Sequence, residues 1–142
     1  MHEASFDETL EQILERHPRY PRDAYLFVRE ALDHTQKTVT KASRGQLRHV
    51  TGQELLGGIR AYALDQFGPM TTTVFEEWNV RECRDFGELV FNMIESGMLA
   101  KTEQDSLADF APGYDFDDAF RKPFLPPSRL AALEKEARTA QA

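Results

Sequence analysis

The sequence predicts a mainly α-helical, single-domain bundle with one small β-hairpin. The first observation is the stretch DFGELVFNMIESGML (85–99), whose apolar residues recur three and four positions apart and form one helical face: Phe86, Leu89, Val90, Met93 and Ile94. The second is that both ends of this helix are marked in the sequence. Asp85 with Glu88 matches a capping box at the start, and Gly97 is typical of a helix end. The third is size, since 142 residues with 41% hydrophobic side chains can fill one core.

Two amphipathic helices are predicted before this stretch. The first is capped by Ser5 and buries four residues: Phe6, Leu10, Ile13 and Leu14. The segment HPRYPR (17–22) ends it, because two prolines in four residues cannot continue a helix. A second helix is predicted to start near Asp23, and the polar stretch Thr38–Gly45 is predicted to be a loop. Residues Leu47–Val50 alternate in polarity and predict a short strand.

A third helix begins at the capping box Thr51–Glu54 and continues through LLGGIRAYALDQF. Two adjacent glycines, Gly57 and Gly58, weaken it by about 1–2 kcal/mol relative to alanines. We therefore expect another helix to cross closely at this point. Gly68-Pro69 ends the helix, and a short two-turn helix that stops around Asn79 is predicted next.

Two local structures are compatible with residues 99–110. LAKTEQDSLADF (99–110) predicts a β-hairpin that would form a wing, although a strand followed by a helical turn also fits. Aromatic anchors are expected in the next segment at Tyr114, Phe116 and Phe120. Residues 1–122 are predicted to form the domain, and residues 123–142 an extended linker and a C-terminal helical tail. This order of elements resembles a winged-helix domain, which does not by itself fix a function.

The core is expected to centre on apolar residues from four of these helices. They are Phe27, Val28, Leu32, Leu55, Ile59, Val74, Trp78, Phe86, Leu89, Val90, Met93 and Ile94.

Charge is unevenly distributed along this acidic chain. The net charge is −7, yet residues 16–50 carry eight Lys and Arg against three acids. The single cysteine, Cys83, has no internal disulfide partner, and no apolar run is long enough for a signal peptide or a membrane helix. We therefore expect a cytoplasmic protein that does not contact membranes.

The sequence contains no motif typical of catalysis or of metal binding. Cys83 lacks a second cysteine, and the four histidines show no metal-ligand spacing. The acidic turn Asp115–Asp118 lacks the glycine and glutamate that a calcium loop requires. Basic and acidic neighbours of Cys83 nearly cancel, so its thiol is not activated. The prediction is a protein without enzyme activity and without a cofactor, although one sequence leaves open a site assembled from distant residues.

Two functions remain after these exclusions. The preferred one is a non-catalytic protein-interaction or regulatory module that binds an unidentified protein or a second copy of itself. Trp78 and Phe91 are the candidate binding residues, because aromatic side chains dominate interface energetics and Phe91 lies off the main apolar face of its helix. The alternative is a nucleic-acid or ribosome-associated protein that contacts phosphates through residues 16–50, with Arg22, Arg29, Lys41 and Arg44 as candidates.

Four stretches of the chain resemble a known family. They are HPRYPRDAYLFVREAL, HVTGQELLGGIRAYALDQFGPM, DFGELVFNMIESGMLAKTEQDSLADF and YDFDDAF. They resemble a short, Verrucomicrobia–Planctomycetes-restricted family of uncharacterised bacterial proteins, over roughly residues 5–121. The resemblance implies a bacterial cytoplasmic protein in which the tail after Phe124 is an addition, and it supplies no catalytic residues.

Overall fold

The computed structural model describes residues 6–45, 50–99, 110–126, 128–129, 132 and 134–136. Its α-helices are α1 (Phe6–Arg16), α2 (Arg22–Ala42), α3 (Gly52–Phe67), α4 (Thr71–Glu77) and α5 (Cys83–Glu95). A 3₁₀ turn (Gly68–Met70) links α3 to α4, and a π-helical turn (Asp117–Arg121) leads into a second 3₁₀ turn (Lys122–Phe124). Helix α2 lies at the centre of the bundle, since it packs on α1, α3 and α5. The predicted mainly α-helical fold is confirmed.

Helix α2 is longer than the sequence predicts. The stretch expected to be a loop from Thr38 continues the helix as far as Ala42. Val39 extends the apolar face and is buried, four residues after the buried Thr35. The threonine hydroxyls donate to the carbonyl groups four residues back, Thr35 to Ala31 at 2.7 Å and Thr38 to His34 at 3.1 Å. These groups therefore find partners within the helix rather than favouring a turn.

Helix α3 begins as predicted and crosses α2 closely. The Thr51 hydroxyl accepts from the backbone N–H of Glu54, and the Glu54 carboxylate accepts from the backbone N–H of Thr51. A β-carbon at Gly58 would overlap Thr35 Oγ1 and lie 2.8 Å from Thr35 Cβ. The expected close crossing is therefore confirmed at Gly58. Gly57, by contrast, faces open space.

The short helix α4 places one phenylalanine at the centre of the core. Phe75 is 1% exposed, and its ring packs against six others within 6.5 Å between centroids. Those six rings come from α2, α3, α5 and the segments that flank the helices: Phe27, Phe67, Trp78, Phe86, Phe116 and Phe120. One side chain thus joins elements that are far apart in sequence.

Helix α5 begins two residues earlier than predicted. Its N-cap is Glu82 and its first residue is Cys83, so Asp85 lies inside the first turn rather than at the cap. The Asp85 carboxylate accepts from the backbone N–H groups of Arg81 and Glu82, at 2.8 and 3.1 Å. Asp85, the third residue of the helix, therefore accepts hydrogen bonds from backbone N–H groups just before the helix. The predicted capping box of Asp85 with Glu88 is wrong.

Helices α2, α4 and α5 end in the same hydrogen-bonded motif. In α5, the N–H of Gly97 donates to the carbonyl of Ile94, and the N–H of Met98 donates to that of Met93. Gly97 has a φ of +80°, as predicted for a residue that ends a helix. The corresponding residues after α2 and α4 are Arg44, with φ +56°, and Asn79, with φ +60°. Arg44 pays a conformational cost there that glycine would avoid.

The predicted β structure finds no support. Residues 100–109, where the hairpin was expected, and residues 47–49 of the expected strand lie outside the described residues. No strand occurs in the ranges that the structure describes. The predicted resemblance to a winged-helix domain is therefore not supported by the structure. The predicted linker begins instead with the 3₁₀ turn Lys122–Phe124, because Pro123 is compatible with the first turn of a helix. The described residues of the tail, 128–129, 132 and 134–136, are helical.

The predicted core is largely confirmed. Leu32, Val74, Trp78 and Ile94 are only partly buried, and the other predicted core residues are buried. The sequence underestimates the aromatic share, since Tyr20, Tyr25, Phe75 and Phe120 are among the largest fully buried side chains. Of the expected anchors, Phe120 is buried, and Tyr114 and Phe116 pack against the core.

The two glycines of α3 should respond oppositely to alanine. Gly57→Ala should raise the free energy of unfolding by up to about 1 kcal/mol through helix propensity alone. Gly58→Ala should lower it by about 1–3 kcal/mol, because the added methyl group must push α2 and α3 apart. Urea unfolding followed by circular dichroism measures both. Equal effects of the two substitutions would contradict the close crossing.

Candidate functional site

The loop between α1 and α2 is held against α5. Pro18 and Pro21 flank Tyr20, whose side chain points into the protein and is 2% exposed. The Asn79 side chain donates to the carbonyl oxygen of Arg19 at 3.4 Å, which ties this loop to the one that precedes α5. The prolines restrict the backbone of the loop and present Tyr20 to the start of α5.

Asp85 is the hydrogen-bonding centre of this region. Its carboxylate is 3% exposed and accepts four hydrogen bonds. Two come from the backbone as described above; the others come from the Tyr20 hydroxyl at 2.5 Å and from Arg19 Nη2 at 3.2 Å. A buried carboxylate is tolerated only when charge and hydrogen bonds compensate for its desolvation, and here both are present.

Glu88, one turn further along α5, shares the same partners. The Tyr20 hydroxyl lies 2.5 Å from Glu88 Oε2, and the guanidinium groups of Arg19 and Arg84 lie 3.6 and 3.8 Å from its carboxylate oxygens. Burial, followed by the two carboxylates, raises the pKa of Tyr20 well above its ordinary value. Tyr20 therefore stays protonated and acts as a hydrogen-bond donor at neutral pH.

An open surface cavity of about 730 Å³ lies beside this cluster. One wall is the end of α1 and the following loop, and the other is a face of α5. Glu88, Phe91 and Asn92 form the α5 wall because they are spaced three and four residues apart. Asn92 is fixed by the hydrogen bond that its Nδ2 donates to the Tyr25 hydroxyl at 3.0 Å. We call this cavity the α1–α5 groove; its lining residues are Arg16, His17, Pro18, Arg19, Tyr20, Glu88, Phe91 and Asn92.

The two predicted protein-binding residues are separated by the fold. Phe91 lies in the α1–α5 groove, partly buried, with its ring 6.5 Å from that of Phe110. Trp78 is also partly buried, but it packs against the rings of Phe27, Phe67 and Phe75. Phe91 is thus available at a concave surface, whereas Trp78 contributes mainly to the core.

The four predicted phosphate-binding residues do not form one cluster. Arg22 pairs with Asp7 at 3.2 Å and with Glu11 at 3.5 Å, both on α1. The Arg29 guanidinium lies 4.0 Å from the centre of the Phe6 ring. Lys41 and Arg44 are exposed at the end of α2. Two of the four cations are therefore occupied within the molecule.

Cys83 is the first residue of α5 and lies in the core. It is 4% exposed, and its sulfur lies 3.6 Å from the carbonyl oxygen of Tyr114. Burial raises the pKa of the thiol, which keeps it in the unreactive protonated form.

The described residues contain no metal-binding cluster and no helix suited to span a membrane. No group of three or more His, Cys, Asp or Glu side chains in these ranges is placed to hold a metal ion. Within the same ranges, no helix combines the length and the apolarity that crossing a membrane requires.

Comparison with family models, with curated proteins and with solved structures finds no match to this chain. The resemblance to a restricted bacterial family therefore stays a prediction, and the site has to be interpreted from its own geometry.

The central contact of this site could not be predicted from the sequence. Asp85 fits a helix cap and Tyr20 lies in a basic segment, and the two residues are 65 positions apart. The available signal was an aromatic residue between two prolines, which restrict the backbone of the loop.

Replacing the buried carboxylate should destabilise the protein strongly. Asp85→Asn should lower the free energy of unfolding by about 3 kcal/mol, because it removes the charge that Arg19 faces and places an N–H₂ group among donors. Asp33→Asn is the matched control; its carboxylate is exposed and pairs with Lys37, so the change should stay within about 0.5 kcal/mol. Urea unfolding at pH 7 measures both, and similar values for the two variants would contradict the role of Asp85.

Stability should also fall at alkaline pH. The pKa values of Tyr20 and Tyr25 are raised in the folded protein, chiefly by burial, so above about pH 10 the unfolded chain loses protons that the folded protein keeps. The free energy of unfolding should then fall by about 1.4 kcal/mol per pH unit for each tyrosine. Tyr20→Phe should be less stable than the wild type at pH 8 but should show a shallower decline between pH 10 and 11. An unchanged slope would show that Tyr20 ionises normally.

Proposed function

We propose that this protein is a non-catalytic interaction module that binds a segment of a partner protein in the α1–α5 groove. The observation that carries the proposal is the position of Phe91, a partly exposed aromatic side chain in a concave surface with polar and charged neighbours. Aromatic side chains in such positions supply much of the binding energy of protein interfaces, and a polar rim supplies orientation. Cytoplasmic location in a bacterium is part of the same proposal.

Several features of the groove favour binding over catalysis. Asp85 and Tyr20 are both buried and satisfied by partners, so neither is presented to a substrate. The raised pKa of Tyr20 keeps the phenol protonated, which makes it a poor general base at neutral pH. Glu88, the acid that lines the groove, is already in contact with Tyr20, Arg19 and Arg84. These groups support the shape of the groove rather than a reaction.

Intramolecular contacts of two predicted phosphate-binding residues disfavour nucleic-acid binding. Arg22 is paired with acids of α1, and Arg29 is stacked on Phe6. A duplex would have to displace these contacts before it could neutralise its phosphates with these two cations. We therefore place nucleic-acid binding second and treat it as an outcome of the experiments.

Selection from a library of phage-displayed random peptides should yield ligands for the groove. In a ¹H–¹⁵N titration with a selected peptide, shifts should concentrate at the amides of residues 16–20 and 88–92. Phe91→Ser should weaken binding by about tenfold or more, because it removes the aromatic contact. Phe124→Ser is the matched control, since Phe124 is 43% exposed and does not line the groove.

Two results would contradict the proposal. One is a peptide that shifts only amides outside the groove or that binds Phe91→Ser as well as the wild type. The other is salt-sensitive binding of labelled duplex DNA, single-stranded DNA or structured RNA that is lost when Arg22, Arg29, Lys41 and Arg44 are changed to Glu. The second result would favour the nucleic-acid function.

A further inference from the structure

The groove offers more positive than negative charge to a ligand. Two of its lining residues, Arg16 and Arg19, are positively charged, and one, Glu88, is acidic. Arg16 is exposed and has no ion-pair or hydrogen-bond partner among the residues that the structure describes. His17 Nε2 lies 3.5 Å from a Glu95 carboxylate oxygen, and the two side chains are 37% and 58% exposed.

The negative charge of the groove is already compensated. Glu88 is the acidic side chain that lines it, and its carboxylate lies 2.5 Å from the Tyr20 hydroxyl oxygen and beside the guanidinium groups of Arg19 and Arg84. Arg19 remains 54% exposed although it reaches Asp85 and Glu88. Because a guanidinium has five N–H donors, Arg19 retains donors for a ligand. A cationic ligand would meet the guanidinium groups of Arg16 and Arg19.

Phe91 and Pro18 provide apolar surface on opposite walls of the same groove. We infer that the α1–α5 groove binds a partner segment in which an acidic side chain stands next to an aromatic or aliphatic one. The carboxylate would pair with the Arg16 guanidinium, and the apolar side chain would pack on Phe91. Charge-assisted hydrogen bonds to arginine are strong and directional, and they would orient the segment. This inference rests on the proposed function and specifies its ligand.

A carboxylate fits this site better than a phosphate backbone does. The arginines that line the groove are confined to one wall, and the other wall, formed by Glu88, Phe91 and Asn92, offers the regularly spaced phosphates of a duplex no lining cation. A peptide needs only one anionic group at the cationic wall, and its apolar neighbour can use the rest of the groove.

The test uses four pools of capped hexapeptides, random except for a fixed central pair. The pairs are Glu-Phe, Gln-Phe, Lys-Phe and Glu-Ser, and binding to the full-length protein is measured by fluorescence anisotropy. The Glu-Phe pool should bind about tenfold more tightly than the Gln-Phe and Glu-Ser pools, and more tightly still than the Lys-Phe pool. Raising the salt concentration should reduce this preference, because the Arg16 side chain is exposed.

A charge reversal identifies the residue responsible. Arg16→Glu should reverse the preference, so that the Lys-Phe pool binds more tightly than the Glu-Phe pool. Arg44→Glu changes the net charge equally but lies outside the groove, and it should leave the preference unchanged. Comparable circular dichroism spectra and urea midpoints establish that both variants are folded.

The outcomes separate the inference from the function on which it rests. If the Lys-Phe or Gln-Phe pool binds the wild type best and shifts amides of the groove, the acidic ligand is wrong and the interaction function stands. If no pool binds and no peptide selected from the phage library shifts these amides, both fail. If Arg44→Glu abolishes the preference as Arg16→Glu does, long-range charge rather than the groove is responsible. If sedimentation shows a dimer of the chain that Arg16→Glu dissociates, the groove binds a second copy. The inference that it binds a segment of a different protein is then wrong.

Discussion

The carboxylate of Asp85 accepts hydrogen bonds inside the protein from two parts of the chain that are about 65 residues apart. Its backbone partners define the start of α5, and its side-chain partners, Arg19 and Tyr20, belong to the loop between α1 and α2. Asp85 and Tyr20 could not be buried without such partners, because an unpaired carboxylate or hydroxyl in the interior is costly. The Asp85 side chain therefore helps to hold the loop between α1 and α2 against the start of α5.

The α1–α5 groove follows from this arrangement. Tyr20 is drawn inward towards Asp85, so the rest of its loop, including Pro18, stands as one wall above the surface of α5. Phe91 lies off the main apolar face of α5, which is committed to the core around Phe75 and Phe86. The Phe91 side chain therefore lines the α5 wall of the groove, opposite the loop. The same bundle thus buries most of its rings and leaves one at a charged, concave surface.

Local sequence patterns specified individual elements better than the contacts between them. The start of α3 at Thr51 and the end of α5 at Gly97 were predictable because their signals span only a few residues. The end of α2 was not, since the polar residues after Thr38 resemble a loop until Val39 is seen to be buried. The groove could not be predicted, because it depends on Asp85 meeting Tyr20, and periodicity carries no information on pairs so far apart. The charge pattern predicted a basic segment over residues 16–50 but could not show which of its cations α1 would neutralise.

The contact between Thr35 and Gly58 has a consequence for related sequences. The two positions share one small volume at the crossing of α2 and α3, and the backbone of α3 lies against the threonine side chain. A relative that carries alanine or serine at position 58 should therefore carry a smaller residue than threonine at position 35. Such paired changes would appear as covariation between the two helices, and they would mark divergent chains that keep this helix crossing.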